Sequence, residues 1–192
     1  MAYTLKSNVV RREENLHYVE WEGQESAVLA GTGITDWTDD TSISTDDGQY
    51  INEKNEHSNA LSYSPKISYT GELIPSDPFV MHLYQVGKKQ LLGEMFTEFE
   101  VETWAAVNES TGEYAAHKRT YEIQPSKSGS GAGGEKIGLE GTFAQKGDTL
   151  HGKFNITTKE FTEGTFDYTT GEFTSSEEQA VMSKVSAQKN TN

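Results

Sequence analysis

Apolar and polar residues alternate most strictly between Glu94 and Trp104, where Glu98, Glu100 and Glu102 take turns with Phe99 and Val101. A period of two is the signature of a strand with one apolar face, and here the other face carries a row of carboxylates. The same period recurs in shorter runs. His17 to Glu22 sets His17, Val19 and Trp21 against Tyr18, Glu20 and Glu22, which predicts a strand with aromatics on both faces. Residues 26–34 offer another, interrupted by Gly31 and Gly33. From Leu61 to Leu73, Tyr63, Ile67, Tyr69 and Leu73 share a face against Ser64, Lys66, Ser68, Thr70 and Glu72. Pro65 sits near the start of that run, where a missing donor is tolerated.

One segment has helical spacing. Asp77 is placed to cap, Pro78 fits the first helical position, Phe79, Leu83 and Val86 recur on one side, and Gly87 ends the element. At about two to three turns such a helix needs a sheet to lie on. The second half returns to strands: Phe96 to Ala106, a turn at Glu109 to Glu113, and Tyr114 to Gln124. Ser126 to Gly134 reads as a Ser/Gly linker. Ile137 to Ala144 and Leu150 to Ile156 read as a hairpin closed by Gln145 to Thr149, and Phe161 to Tyr168 as a last strand.

Two stretches lack such periodicity. Residues 1–15 form a polar lead with a short β-like piece from Tyr3 to Val10, and residues 175–192 a polar tail, frayed helix or disordered. Thr35 to Ala60 is acidic, with Asp36, Asp39, Asp40, Asp46, Asp47, Glu53 and Glu56 and few apolar anchors beyond Trp37, Ile43, Tyr50 and Ile51. Loops this long inside a domain are usually functional or disordered, although Asp47-Gly48 offers a hairpin turn. The expected organisation is one mainly β domain over residues 1–174 with one short helix, an arm at 1–15 and a loop at 35–60.

Composition agrees with a turn-rich β protein. Of 192 residues only 33% are apolar while Gly occurs 18 times, unlike a helical bundle. The net charge of -14 argues against a protein that grips nucleic acid or an anionic membrane, since either partner needs a basic footprint. It is compatible with a protein that lets DNA pass without holding it. With no Cys, neither disulfides nor thiolate metal sites are available. The start has no secretory-type apolar core and no stretch approaches the ~20 residues of a membrane span, so a product made in a cytoplasm is expected.

The motif scan is sparse. Gly129-Ser130-Gly131-Ala132-Gly133-Gly134 matches the dinucleotide fingerprint by letter but opens a strand rather than a helix, so a flexible loop is the reading. His17, His57, His82, His117 and His151 lie far apart in sequence, with no ligand spacing; scattered surface positions and no metal are expected. The aspartates of 36–47 miss the spacing of a calcium loop. Paired carboxylates raise glycoside hydrolysis, with Trp104 as a sugar platform beside Glu98, Glu100 and Glu102. Nothing, however, separates an acid from a base in environment, and neither catalysis nor a cofactor is expected. Asn108-Glu109-Ser110 and Asn155-Ile156-Thr157 match the glycan acceptor pattern without a secretory context.

Taken in order, several of these features resemble the major tail proteins, or tail tube subunits, of long-tailed bacteriophages. They are the acidic loop, the segment Ser64-Pro65-Lys66-Ile67-Ser68-Tyr69-Thr70-Gly71-Glu72, the helix start Asp77-Pro78-Phe79, the Glu-rich strand and a terminal hairpin. The likeness spans about residues 16–170. It implies a β-sandwich or barrel with one helix, joined into hexameric rings that stack into a tube conducting DNA to the host. The implied partners are further copies of the chain, tape measure, tail terminator and tip proteins. DNA would pass unbound, and the location would be the virion tail. On this reading Asp36, Trp37, Asp39, Asp40, Asp46, Asp47, Tyr50 and Glu53 belong to a loop contacting the next ring, and Glu98, Glu100 and Glu102 line the lumen. A duplex with about one negative charge per 1.7 Å of axis is repelled by carboxylates and retarded by lysines. The alternative is a monomeric carbohydrate-binding sandwich on a virion or cell surface, using Trp21, Trp37 or Trp104.

Overall fold

The alternating runs become strands over most of the chain in the computed structural model, which describes residues 8–49, 51, 52, 54, 55 and 57–180. In chain order the strands are β1 (Asn15–Trp21), β2 (Val28–Leu29), β3 (Ile34–Asp40), β4 (Ile43–Gly48), β5 (His57–Tyr63), β6 (Lys66–Glu72), β7 (Met95–Asn108), β8 (Glu113–Ser130), β9 (Gly138–Asn155), β10 (Phe161–Phe166) and β11 (Phe173–Ser175). Helix α1 (Pro78–Lys89) stands between β6 and β7. The fold is mainly β, with a nine-stranded sheet and a separate two-stranded one. The described residues divide into two compact units, 8–31 with 96–120 and 147–180, and 32–95 with 121–146; β7, β8 and β9 contribute to both.

In the first unit the sheet order is β11-β10-β9-β8-β7-β1-β2. Tyr18 of β1 stands opposite Phe99 of β7, and Leu16 opposite Val101. These residues therefore share one face and pack with Ala27, Ala116 and Phe154. Ring centroids of Tyr18 and of Phe99 each lie 5.0 Å from that of Phe154, within the range of favourable aromatic contact. Ala105, Ala115 and Phe166 form a second apolar cluster, flanked by Trp104 and Tyr168.

In the second unit β6 pairs with β3 and with the first half of β9. Ile67 and Tyr69 of β6, Tyr121 and Ile123 of β8, and Leu139 and Phe143 of β9 are buried together with Phe79, Val80, Leu83 and Val86 of α1. Tyr69 stacks on Phe143 at 4.3 Å between centroids, and Trp37 meets the same ring at 5.3 Å. The helix starts as its sequence predicts: Pro78 takes the first turn, and Asp77 accepts a hydrogen bond from the Val80 N–H at 2.9 Å. Its end differs from expectation. It runs through Gly87 to Lys89 and stops where Gln90 turns left-handed (φ 54°), with the Leu91 N–H reaching back to the Val86 carbonyl at 3.1 Å.

Further expectations are corrected by strand pairing. The acidic stretch 35–60 is not a loop: β3 runs antiparallel to β6 and β4 to β5, so pairing overrides the poor strand propensity of aspartate. Gly48 pairs with His57 inside that ribbon, so Asp47-Gly48 lies within the ladder and is not its turn. The run from Leu61 to Leu73 is split into β5 and β6 around Pro65. Part of the presumed Ser/Gly linker extends β8 to Ser130. Gln145 to Thr149 closes no hairpin, because β9 continues through it, with Gly147 at φ 75°; the partner is β6 before that point and β10 after it. Asn8 to Val10 form no strand, residues 176–180 are helical, and residues 1–7 and 181–192 lie outside the described residues.

Gly87 is a spacer rather than a stop. A Cβ there would lie 2.6 Å from Ser128 Cβ and closer still to its hydroxyl, so α1 and β8 approach only because the side chain is absent. Gly87→Ala is expected to lower the unfolding free energy by about 1–3 kcal/mol through overpacking, although Ala is the better helix former by about 1 kcal/mol. Gly133→Ala, with nothing within 4 Å of its added carbon, should stay within about 0.5 kcal/mol. Denaturant melts of both variants check this, and an unaffected Gly87→Ala protein would refute the close approach.

Candidate functional site

The face of β7 opposite the Phe99 core is polar, and it is not open. Glu98 has no exposed surface, and the side chains of Glu100 and Glu102 are only 16% and 15% exposed. Neighbouring strands supply their partners. His17 of β1, itself buried, places Nδ1 2.5 Å from Glu98 Oε1, while Arg12 Nη1 lies 2.5 Å from His17 Nε2. Guanidinium only donates, so Nε2 accepts and the ring proton sits on Nδ1, directed at the carboxylate. Arg119 of β8 hydrogen-bonds Glu100 and holds Nη1 3.9 Å from Glu98 Oε2. Asn15 Nδ2 donates to the other Glu100 oxygen at 2.6 Å.

The network continues to Glu102. It accepts the Tyr168 hydroxyl at 2.5 Å and faces His117 Nε2 at 3.5 Å. Beyond it, His117 Nδ1 meets His151 Nδ1 at 2.9 Å, one ring edge-on to the other. These histidines border a pocket of about 280 Å³ shared with Phe166 and Tyr168. Burial, then the positive neighbours His117 and Arg119, push the His151 imidazole below its ordinary range. Burial pushes Glu100 up, but the Arg119 charge, the Asn15 hydrogen bond and the nearby His17 and His117 outweigh it and hold the carboxyl below the usual range.

The row expected as a solvent-facing line of carboxylates is thus corrected. Glu98 is sealed inside the subunit, and Glu100 and Glu102 are spent on internal cations and donors. The histidines are corrected too, since His17 is buried and the topology joins His117 to His151. Arg12, Arg119 and Tyr168 escaped the sequence reading. The available signal was that His117 and Arg119 alternate along a strand with the apolar Ala116. Among the described residues no group of three or more acidic or histidine side chains converges as a metal shell. The arrangement balances charge and fixes side chains; it leaves neither oxygen of Glu100 or Glu102 without a partner.

The acidic stretch of 36–47 divides between two settings. Trp37 packs into the second unit's aromatic core, and Asp36 accepts from Thr38. Asp40 lies 3.6 Å from Lys66 and accepts from the backbone and hydroxyl of Ser42, which lowers its proton affinity. Asp46 and Asp47 stand exposed on β4. Tyr50 and Glu53 lie outside the described residues. The β4–β5 ribbon carries Ile43, Leu61 and Tyr63 with 52%, 66% and 69% of their surface in solvent.

Two outcomes test the network. Glu98→Ala leaves His17 and Arg119 facing a buried gap and is expected to cost about 3–5 kcal/mol, measured by denaturant unfolding. Glu100 has a depressed folded-state pKa, so the stability it contributes is complete above the ordinary carboxylate range and is lost as pH falls through the folded value. Glu100→Gln should therefore be less stable than the parent protein at neutral pH, the gap closing at strongly acid pH; a gap independent of pH would refute the assignment.

No family model matches the chain, and no curated protein matches it in sequence. Among solved structures it is similar to a protein in the tail of an empty gene transfer agent particle, determined by helical refinement with C6 symmetry. The TM-score is 0.50 at 14% identity, covering 73% of this chain and 97% of that one. A protein in the virion of a native gene transfer agent particle aligns at 0.49 and 12% identity, over 74% and 98% of the two chains. One in the baseplate of the anti-feeding prophage aligns at 0.46 and 8%, over 79% and 99%. This chain shares its fold with that protein of the gene transfer agent tail, mainly β with one short helix as the sequence resemblance implied.

Proposed function

We propose that the protein is a structural, non-enzymatic subunit of a tail tube, assembling into hexameric rings that stack into a conduit for DNA. The observation that carries this reading is the exposed β4–β5 ribbon on a tail-protein fold. A two-stranded ribbon is marginal in water by itself, and this one presents Ile43, Leu61 and Tyr63 to solvent. Contact with another copy supplies what the ribbon lacks. Two of the three tryptophans that a carbohydrate module would use as platforms are engaged internally: Trp37 on Phe143 and Trp104 on Tyr168, the latter at 5.7 Å.

In this reading the ribbon with Asp46 and Asp47 makes the contact between rings, and the β7 face bearing Glu98, Glu100 and Glu102 turns toward the lumen. Glu98, with no exposed surface, offers DNA nothing there, and the slightly exposed Glu100 and Glu102 offer neutralised carboxylates rather than a bare acidic wall. The repulsion that keeps a duplex from sticking then comes from the net charge of -14 as a whole. Tape measure, terminator and tip proteins are the further partners, and the virion tail is the location.

Negative-stain electron microscopy across a concentration series, with mass in solution, tests the reading. Rings or hollow tubes are expected, and a strict monomer at every concentration overturns it. A second variant isolates the ribbon. The Ser64 N–H donates to the Ser42 carbonyl at 2.8 Å, so the ribbon's base is already closed and residues 43–63 can be replaced by a short Gly-Ser turn. The shortened chain should melt like the parent yet fail to elongate; tubes of normal length would remove the ribbon from the contact.

A further inference from the structure

The ribbon needs a surface to meet, and the second unit presents one of opposite character. Helix α1 ends in Lys88 and Lys89, followed by Leu91, Leu92 and Met95, whose side chains are 38%, 96% and 51% exposed. Lysines suit a helix C-terminus, where the dipole end is negative, but these two also lack acidic partners. Lys89 bonds only the Gln85 amide oxygen at 3.1 Å, and Lys88 lies 5.4 Å from the Tyr84 ring centre. Lys66, Lys127, Lys136, Lys146 and Lys153 are each tied to a carboxylate. Lys118 and Lys159 sit over aromatic rings of the first unit.

Lys88 and Lys89 thus put a local positive spot beside exposed leucines on a chain of net charge -14. The ribbon has the complementary make-up: Ile43 and Tyr63 stand side by side across the strands, and Asp46 and Asp47 lie further along β4 toward the turn. Among the described residues neither aspartate pairs with a cation.

We propose that the end of α1, with Lys88, Lys89, Leu91, Leu92 and Met95, is the acceptor for the β4–β5 ribbon of a second copy of this chain. Asp46 and Asp47 meet the lysines, and Ile43 and Tyr63 cover the leucines. The inference rests on the tail-tube reading and adds the receiving surface. Because donor and acceptor are different patches, the contact is head-to-tail and propagates from copy to copy. Apolar area supplies the attraction, while charge sets the orientation and excludes other faces of a strongly acidic chain.

Charge reversal tests this on the full chain. Lys88→Glu with Lys89→Glu, or Asp46→Lys with Asp47→Lys, should each raise the concentration needed for tubes at least tenfold; the aspartate pair should leave the melting temperature unshifted, and the lysine pair should lower it only slightly, through the helix dipole. An equimolar mixture of the two variants should assemble as the parent does, because each reversed patch finds its reversed counterpart and each unchanged patch its unchanged one. Assembly is read by sedimentation velocity and electron microscopy. Single variants that assemble like the parent, or a mixture that stays as dispersed as its components, overturn the proposed acceptor and leave the tube reading standing. A parent protein that never assembles overturns both.

Discussion

A carboxylate with no exposed surface depends wholly on partners inside the fold, and Glu98 is where the first unit meets that constraint. Removing an ion from water costs several kcal/mol unless its partners are well placed. From the strands on either side of β7, His17 bonds one Glu98 oxygen, and the Arg119 guanidinium stands 3.9 Å from the other, which has no hydrogen bond. A slip of one residue in either pairing would turn these partners to the opposite face and bury the charge alone. The polar network thereby selects the register that also sets Tyr18 against Phe99. Packing makes the sheet stable, and the buried charge makes its register unique.

The second unit solves a different problem, that of holding a short helix. Asp77 and Pro78 start α1 locally, but twelve residues gain most of their stability from what they bury. Phe79, Val80, Leu83 and Val86 are covered, and the rings around Phe143 give them a wall. Gly87 then lets the last turn come against Ser128. Beyond the helix end the cover stops, and Leu92 is almost fully exposed.

Much of this architecture was legible in the sequence where the signal is local. Period-two alternation marked β1, β6, β7 and the two halves of β9, and the cap of α1 identified its start. The errors fall where distant residues decide. Gln145 to Thr149 has turn chemistry in Lys146-Gly147-Asp148, yet β6 and β10 each hold one half of β9 and keep it a single strand. The aspartates of 36–48 disfavour strands, but β6 and β5 offer ladders to join. The carboxylates of β7 looked like a solvated face because Arg119 and His17 are far away along the chain and adjacent only in the sheet. The pattern of one strand specifies which residues share a face, but not what covers it.

The acidic excess and the exposed ribbon belong to one argument. Copies carrying -14 repel at most approaches, so productive association is confined to the places where the local charge reverses. The free lysines at the end of α1 form such a place within the second unit, and it lies beside the unit's exposed apolar side chains. A ribbon that is marginal alone gains its missing burial only when it docks, so its ordering and the contact are coupled. In the proposed tube that coupling would lower the affinity of each contact while repetition restores it, since a ring meeting another ring would engage every ribbon at once. Such a chain would favour ordered growth over indiscriminate aggregation, because the repulsion would act at every other face.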